Sequence, residues 1–207
     1  MTKITPLDVL AYYAVSEESI LKIADRAAVL HAAVNQRYGH DLPYAFHLRL
    51  TADYALRFAH EVLADTAELE TLMAAAYFHD TLEDARLTYN DLKKEFTALN
   101  EAGTHIDVAL AAEIVYALTN EKGRTREERA GAHYYEGIRR TPYAPFLKAC
   151  DRLANLRYST LFYMRQRMAE VYRREMPHFL SELGGLPQSM EDELRRLADK
   201  DVPPGCP

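Results

Sequence analysis

Thr71-Leu72-Met73-Ala74-Ala75-Ala76-Tyr77-Phe78-His79-Asp80-Thr81-Leu82-Glu83-Asp84 joins an almost wholly apolar run to a tight group of metal-binding and acid/base side chains. A helix that is apolar on every side belongs inside a protein. Carboxylates at such a place are costly unless they are paired or bind a cation, so His79 and Asp80 are candidate ligands for one ion. If the helix continues through them, Glu83 stands one turn beyond His79 and Asp84 one turn beyond Asp80, and the second acidic pair points the same way as the first. Taken alone, the same residues also describe a solvated polar helix end. The rest of the chain has to decide.

A length of 207 residues provides one sizeable core. The expectation is a single domain over 1–200 and a loose tail over 201–207, where three prolines and a glycine fall together. The 48% hydrophobic and 27% charged shares are ordinary for a folded domain. A formal charge of -6 with no sustained Lys/Arg block argues against a nucleic-acid polymer as partner; a small phosphorylated ligand needs only a few local cations. Cys150 and Cys206 form neither a CxxC pair nor a disulfide framework, which fits a reducing cytoplasm. The N-terminus has no apolar signal core, and no run reaches the ~18 apolar residues of a membrane span. Neither secretion nor membrane insertion is expected.

Outward from the central stretch, helical spacing dominates. Ile20, Ile23, Ala24, Ala27, Ala28 and His31 share one face of a long helix that Ser16, Glu17 and Glu18 would start and that would end near Arg37. Residues 37–44 read as a loop, with Gly39 and Pro43 close together. His47 then opens a helix to about Leu63. A short Ala64-Asp65-Thr66 link makes that helix the antiparallel neighbour of the apolar one. Thr88, with Asp91 three residues on, reads as the capped start of a helix ending near Asn100. Residues 106–118 read as an amphipathic helix with Val108, Ala111, Ala112, Val115 and Leu118 buried. Residues 120–129 read mainly as a solvent-exposed charge run. Pro142 and Pro145 precede a helix in which Asp151 and Asn155 share a face, as do Lys148 and Arg152. A further segment from about Tyr158 to Leu183 is expected to kink or break at Pro177 and to stop at Gly184-Gly185, ahead of a last short helix from Ser189. Strand-like alternation is absent, and the fold class is all-α, a single-domain helical bundle.

Together His47, His79-Asp80 and Asp151 spell H...HD...D. With Pro43-Tyr44-Ala45-Phe46-His47, His79-Asp80-Thr81-Leu82-Glu83-Asp84 and Lys148-Ala149-Cys150-Asp151-Arg152-Leu153-Ala154-Asn155-Leu156-Arg157, the pattern resembles the HD-domain metal-dependent phosphohydrolases. Among these it is most similar, over residues 20–160, to the hydrolase domain of RelA/SpoT-type enzymes. The resemblance implies a stand-alone small alarmone hydrolase of the HD-domain type, removing the 3′-pyrophosphate of ppGpp and pppGpp with manganese. It implies that His47, His79, Asp80 and Asp151 hold one Mn²⁺ per chain, with another divalent ion as the alternative. Glu83 and Asp84 become the acid/base pair, and Asn155, Arg37 and Tyr44 contact the nucleotide. An acidic chain that binds a polyanion also needs local cations, so Lys148, Arg152 and Arg157 are expected near the site or bracing it, Lys148 and Arg152 as substrate contacts. Leu48, Ala85 and Ala154 depart from the family's usual proline, threonine and larger His or Tyr, but no ligand and neither acid is lost. The rival readings are another HD nucleotidase or hydrolase of a different 3′-phosphorylated nucleotide, and a non-catalytic nucleotide-binding regulatory module. The expected partner is a small nucleotide substrate, and a homo-oligomer is compatible with the sequence.

Overall fold

The computed structural model describes residues 6–120, 123–161 and 166–199. The chain is an all-α bundle, and the only sheet among these residues is a two-stranded one. The tail expected at 201–207 lies outside the described residues.

Helix α1 (Pro6–Tyr12) precedes α2 (Glu17–Ala33), whose first turn is capped by Ser16 accepting from the Ser19 amide at 3.4 Å. The helix stops short of Arg37 because Asn35 turns left-handed, with φ 57°, and the Gln36 amide reaches back to the His31 carbonyl. Residues expected as plain loop then pair. Strand β1 (Arg37–Tyr38) runs antiparallel to β2 (Leu42–Pro43), with Arg37 opposite Pro43 and Tyr38 opposite Leu42. Gly39 supplies the positive φ, 66°, for the bend between them.

Helix α3 (Ala45–Phe58) closes in a short 3-10 turn, and α4 (Leu69–Phe78) is buried at every position. The one acid inside α4, Glu70, accepts the His105 amide, and the Thr71 hydroxyl accepts the Asp107 amide at 2.9 Å, so the loop before the sixth helix covers its polar atoms. Helices α2, α3 and α6 (Val108–Leu118) pack around α4. The start of α3 meets the end of α4 through His47 and His79, while the short link joins their other ends, so the two are antiparallel as expected. Helix α5 (Tyr89–Glu101) starts at Thr88, whose capping box with Asp91 is complete. Two short helices follow α6, α7 (Arg126–Arg129) and α8 (Ala132–Arg140).

Helix α9 (Ala144–Leu161) lies against the face of α3 and carries Asp151; Pro145 sits in its first turn, where a missing amide costs nothing. Helix α10 (Gln166–Leu183) continues through Pro177 rather than ending there, with Pro177 on its exposed side, and Gly184 and Gly185 come after it at φ 57° and 64°. Helix α11 (Gln188–Ala198) packs back on α9 and α10. No helix among the described residues is long and apolar enough to cross a membrane.

Candidate metal centre and its cavity

The apolar helix α4 ends at Phe78, where regular helix gives way to a set of hydrogen-bonded turns. The Thr81 hydroxyl takes the Phe78 carbonyl at 2.6 Å, and the Thr81 amide takes it at 2.9 Å. The Asp84 amide still reaches the Asp80 carbonyl at 2.8 Å, so Asp84 stands about one turn beyond Asp80 although regular helix has ceased. His79 and Asp80 thus open the turn that leaves the core.

His47 and His79 are buried, and their Nε2 atoms lie 3.2 Å apart. Asp80 Oδ2 is 2.9 Å from the His79 nitrogen and 3.4 Å from that of His47. Asp151 Oδ1 approaches the same nitrogens at 3.9 and 3.3 Å. His47, His79 and Asp80 offer donor atoms all within 4.8 Å of one another, and Asp151 joins from α9 through the two imidazoles. The set fits one cation. Metal–donor bonds of ~2.1 Å put adjacent donors of one ion roughly 3.0–3.4 Å apart, close to the spacing seen here. His79 Nδ1 lies 2.8 Å from the Ala76 carbonyl, which can only accept, so Nδ1 carries a proton and Nε2 is the nitrogen turned to the cluster. Two imidazoles and two carboxylates without a thiolate are a donor set that several first-row divalent ions accept.

The carboxylates are held from behind. The Tyr44 hydroxyl donates to Asp80 Oδ2 at 2.5 Å, and its ring stacks on buried His31 at 4.5 Å. Asn155 Nδ2 donates to Asp151 Oδ1 at 2.6 Å and its own oxygen accepts from the Tyr38 hydroxyl at 2.9 Å, while Lys148 Nζ donates to Asp151 Oδ2 at 3.1 Å. Burial by itself would raise both aspartates; the neighbouring His79 and His47 hold Asp80 well below the usual carboxylate range, and Lys148 with the two imidazoles does the same for Asp151. Burial works against charge on His47, yet Asp151 and Asp80 push it up to about 9. Burial and the nearby Asp80 carboxylate raise Asp84, which accepts from Gln36 Nε2 at 3.0 Å.

These groups line one cavity of about 240 Å³. Of the residues expected at the site, His47, Asp80, Glu83, Asp84, Tyr44, Lys148, Asp151, Arg152 and Asn155 face it, and His79 lies buried at its floor through its contacts with His47 and Asp80. Arg37 is exposed on β1 and does not line it; Tyr38, beside it, does, with its ring stacked on His47 at 4.8 Å. Arg157 lies outside the lining as well. Tyr44 and Asn155, expected to contact a nucleotide, are hydrogen-bonded to the aspartates, Asn155 also to Tyr38.

The 120–129 stretch is more than a solvated charge run. Asn120 donates to Glu83 through its amide and, at 3.2 Å, through Nδ2, and Arg126 and Arg129 line the cavity. Arg126 makes a two-pronged pair with Glu175 at 2.7 and 3.0 Å, and Arg152 shares that carboxylate at 3.2 Å while lying 4.7 Å from the Tyr172 ring centre. Periodicity gave no signal for these contacts, since each depends on which helices meet. The sequence matches no family model, and searches among curated proteins and solved structures find no relative.

Proposed function

We propose that the chain is an HD-type metal-dependent phosphohydrolase that removes the 3′-pyrophosphate of guanosine alarmones, giving GDP or GTP and pyrophosphate. The observation behind this reading is the meeting of two imidazole nitrogens and two carboxylates, from α3, the turn after α4, and α9, in one cavity with a second acidic pair. The resemblance in motif order supplies the substrate class. His47, His79, Asp80 and Asp151 would hold one divalent ion, manganese being the first choice. Such an ion offsets charge on phosphoryl oxygens and acidifies water.

The chain's own side chains do the rest. Asp84, whose affinity for a proton is raised by burial and by Asp80, is the side chain suited to take one from the attacking water. Gln36 orients its carboxylate. Water would add to the phosphorus on the 3′ oxygen as one of its protons passes to Asp84; the bond from that phosphorus to the ribose oxygen breaks, the ribose oxygen takes the proton back as the 3′-hydroxyl, and pyrophosphate is released. Tyr44 and Asn155 keep the two ligand carboxylates in place.

The position of Arg37 outside the cavity favours a second reading, a hydrolase of another 3′-phosphorylated nucleotide, because the side chain expected at guanine does not reach the site. Incubating metal-free protein with ppGpp and Mn²⁺, beside its adenosine counterpart, and separating the products tests both. GDP and pyrophosphate from ppGpp alone support the first reading, and equal turnover of both nucleotides supports the second. Orthophosphate or no product from either overturns the pyrophosphohydrolase.

A further inference from the structure

We propose that Thr51 fixes the tautomer of the His47 ring through one buried water, which accepts the Nδ1 proton of His47 and is held by the Thr51 hydroxyl. This rests on the reading of His47 as a metal ligand through Nε2, and it makes Thr51 a positioning residue for the centre.

The buried side-chain polar atoms without a hydrogen-bond partner among the described residues belong to three residues, His31, His47 and Thr51. His31 is on α2, its ring stacked on Tyr44. His47 and Thr51 are both buried on α3, four residues apart, so they share a face one turn from each other. The Nε2 atom of His47 meets His79, Asp80 and Asp151, which leaves Nδ1 on the side of the ring nearer its own helix. Tyr38 stacks on that ring at 4.8 Å and holds its plane.

The two ligand imidazoles therefore differ. His79 Nδ1 has the Ala76 carbonyl at 2.8 Å, the kind of acceptor that keeps the proton of a metal-binding imidazole off the ligating nitrogen. His47 needs one too, since a neutral ring that coordinates through Nε2 carries its proton on Nδ1, and a buried N–H left unpaired is costly.

Thr51 has the complementary need. Thr97, Thr119, Thr141 and Ser159 each donate to the carbonyl four residues back, a usual outlet for a helical hydroxyl. Thr51 Oγ1 makes no such bond to the His47 carbonyl. A hydroxyl both donates and accepts, so it can hold a water in either sense. Side chains one turn apart have Cβ atoms about 5–6 Å from each other, and two successive hydrogen bonds of about 2.8 Å cover that span. One water thus satisfies both atoms. Its place within the packing of α3 on α4 and α9 is that of a structural water.

Three measurements test this: Mn²⁺ titration calorimetry of wild type, Thr51→Val and Thr51→Ser at one pH, melting of the three metal-free proteins, and a high-resolution crystal structure of Mn²⁺-loaded wild type. Thr51→Val keeps the side chain's shape without the hydroxyl and should weaken Mn²⁺ binding about 10- to 100-fold, the usual effect of losing a partner behind a ligand. Its metal-free melting temperature should stay close to that of wild type, and Thr51→Ser should bind Mn²⁺ nearly as wild type does. The crystal structure should show a water within hydrogen-bond distance of both His47 Nδ1 and Thr51 Oγ1. Equal affinity in wild type and Thr51→Val, with or without a lower melting temperature, overturns the role of Thr51. No water between the two atoms, or a direct bond, overturns the link even if Thr51→Val does not fold. Wild type that binds Mn²⁺ in the expected pattern but leaves ppGpp intact upholds the link and overturns the alarmone reading. If wild type binds no Mn²⁺, the metal centre and the link fail together.

Discussion

His79 shows how much a single hydrogen bond decides. Its Nδ1 is committed to the Ala76 carbonyl, so Nε2 has either a lone pair or an added proton to offer the cluster. His47, pushed up to about 9 by Asp151 and Asp80 against the effect of burial, is protonated in metal-free protein at neutral pH. Because the folded value lies above the ordinary 6.5, its protonated form contributes fully at low pH and that contribution is lost as pH rises through about 9. An ion needs the neutral imidazole, so metal affinity should climb with pH up to about 9 and level off above it. Against burial, the His79 imidazole is raised too by Asp80 and Asp151, so calorimetric titration with Mn²⁺ at pH 7 in two buffers of different ionisation heat should show protons released as the ion binds. Equal heats in both buffers would contradict it. Asp84 lacks a metal-ligand role, so Asp84→Asn should keep metal content and lower the hydrolysis rate ~100- to 10,000-fold. A rate within a few-fold of wild type at saturating Mn²⁺ and substrate would remove Asp84 as the base. Glu83 lines the same cavity, and both its oxygens are engaged by Asn120, a partner invisible at a separation of 37 residues.

Between residue and fold, the elements divide into those set by local chemistry and those set by contact. Helix α4 was legible because ten successive buried positions leave a continuous apolar signature, and α5 because its cap is encoded within four residues. The cap is also measurable. Thr88 is exposed and its hydroxyl accepts the Asp91 amide at 3.2 Å, so Thr88→Ala should cost about 1 kcal/mol in denaturant unfolding and leave Mn²⁺ content unchanged. A loss of bound metal in that variant would show that α5 supports the site, which its position does not suggest. The β1–β2 pair was not legible, since two residues per strand are too few for alternation to register. Pro177 does not break the helix: proline disfavours helix locally, but α10 packs against α9 and α11 and carries the missing amide on its exposed side. The 120–129 segment reads as polar by composition, and its role comes from where α6 ends relative to the turn after α4.

For the molecule as a whole, the donor set is a tie between parts distant in sequence. His47 stands at the start of α3, His79 and Asp80 at the end of α4, and Asp151 near the middle of α9, and α3 packs on both of the other helices. One ion bound there adds a link that the unfolded chain cannot form, because its ligands are then spread over about a hundred residues. Binding confined to the folded state raises stability by about 2.7 kcal/mol at a free ion concentration one hundred times the Kd. For a chain of this length each kcal/mol moves the melting temperature by roughly 2–4 °C, so the midpoint should rise by roughly 5–11 °C. Chelation should reverse the rise. Asp151→Ala removes the α9 ligand and leaves the partly buried Lys148 without its carboxylate, so this variant should melt below metal-free wild type and respond weakly or not at all to Mn²⁺. Calorimetric melting of both proteins, with and without Mn²⁺, checks the two effects separately. An Mn²⁺-induced rise in the Asp151→Ala variant as large as that in wild type would place the ion elsewhere, and no rise in wild type at one hundred times Kd would mean that the ion does not select the folded chain.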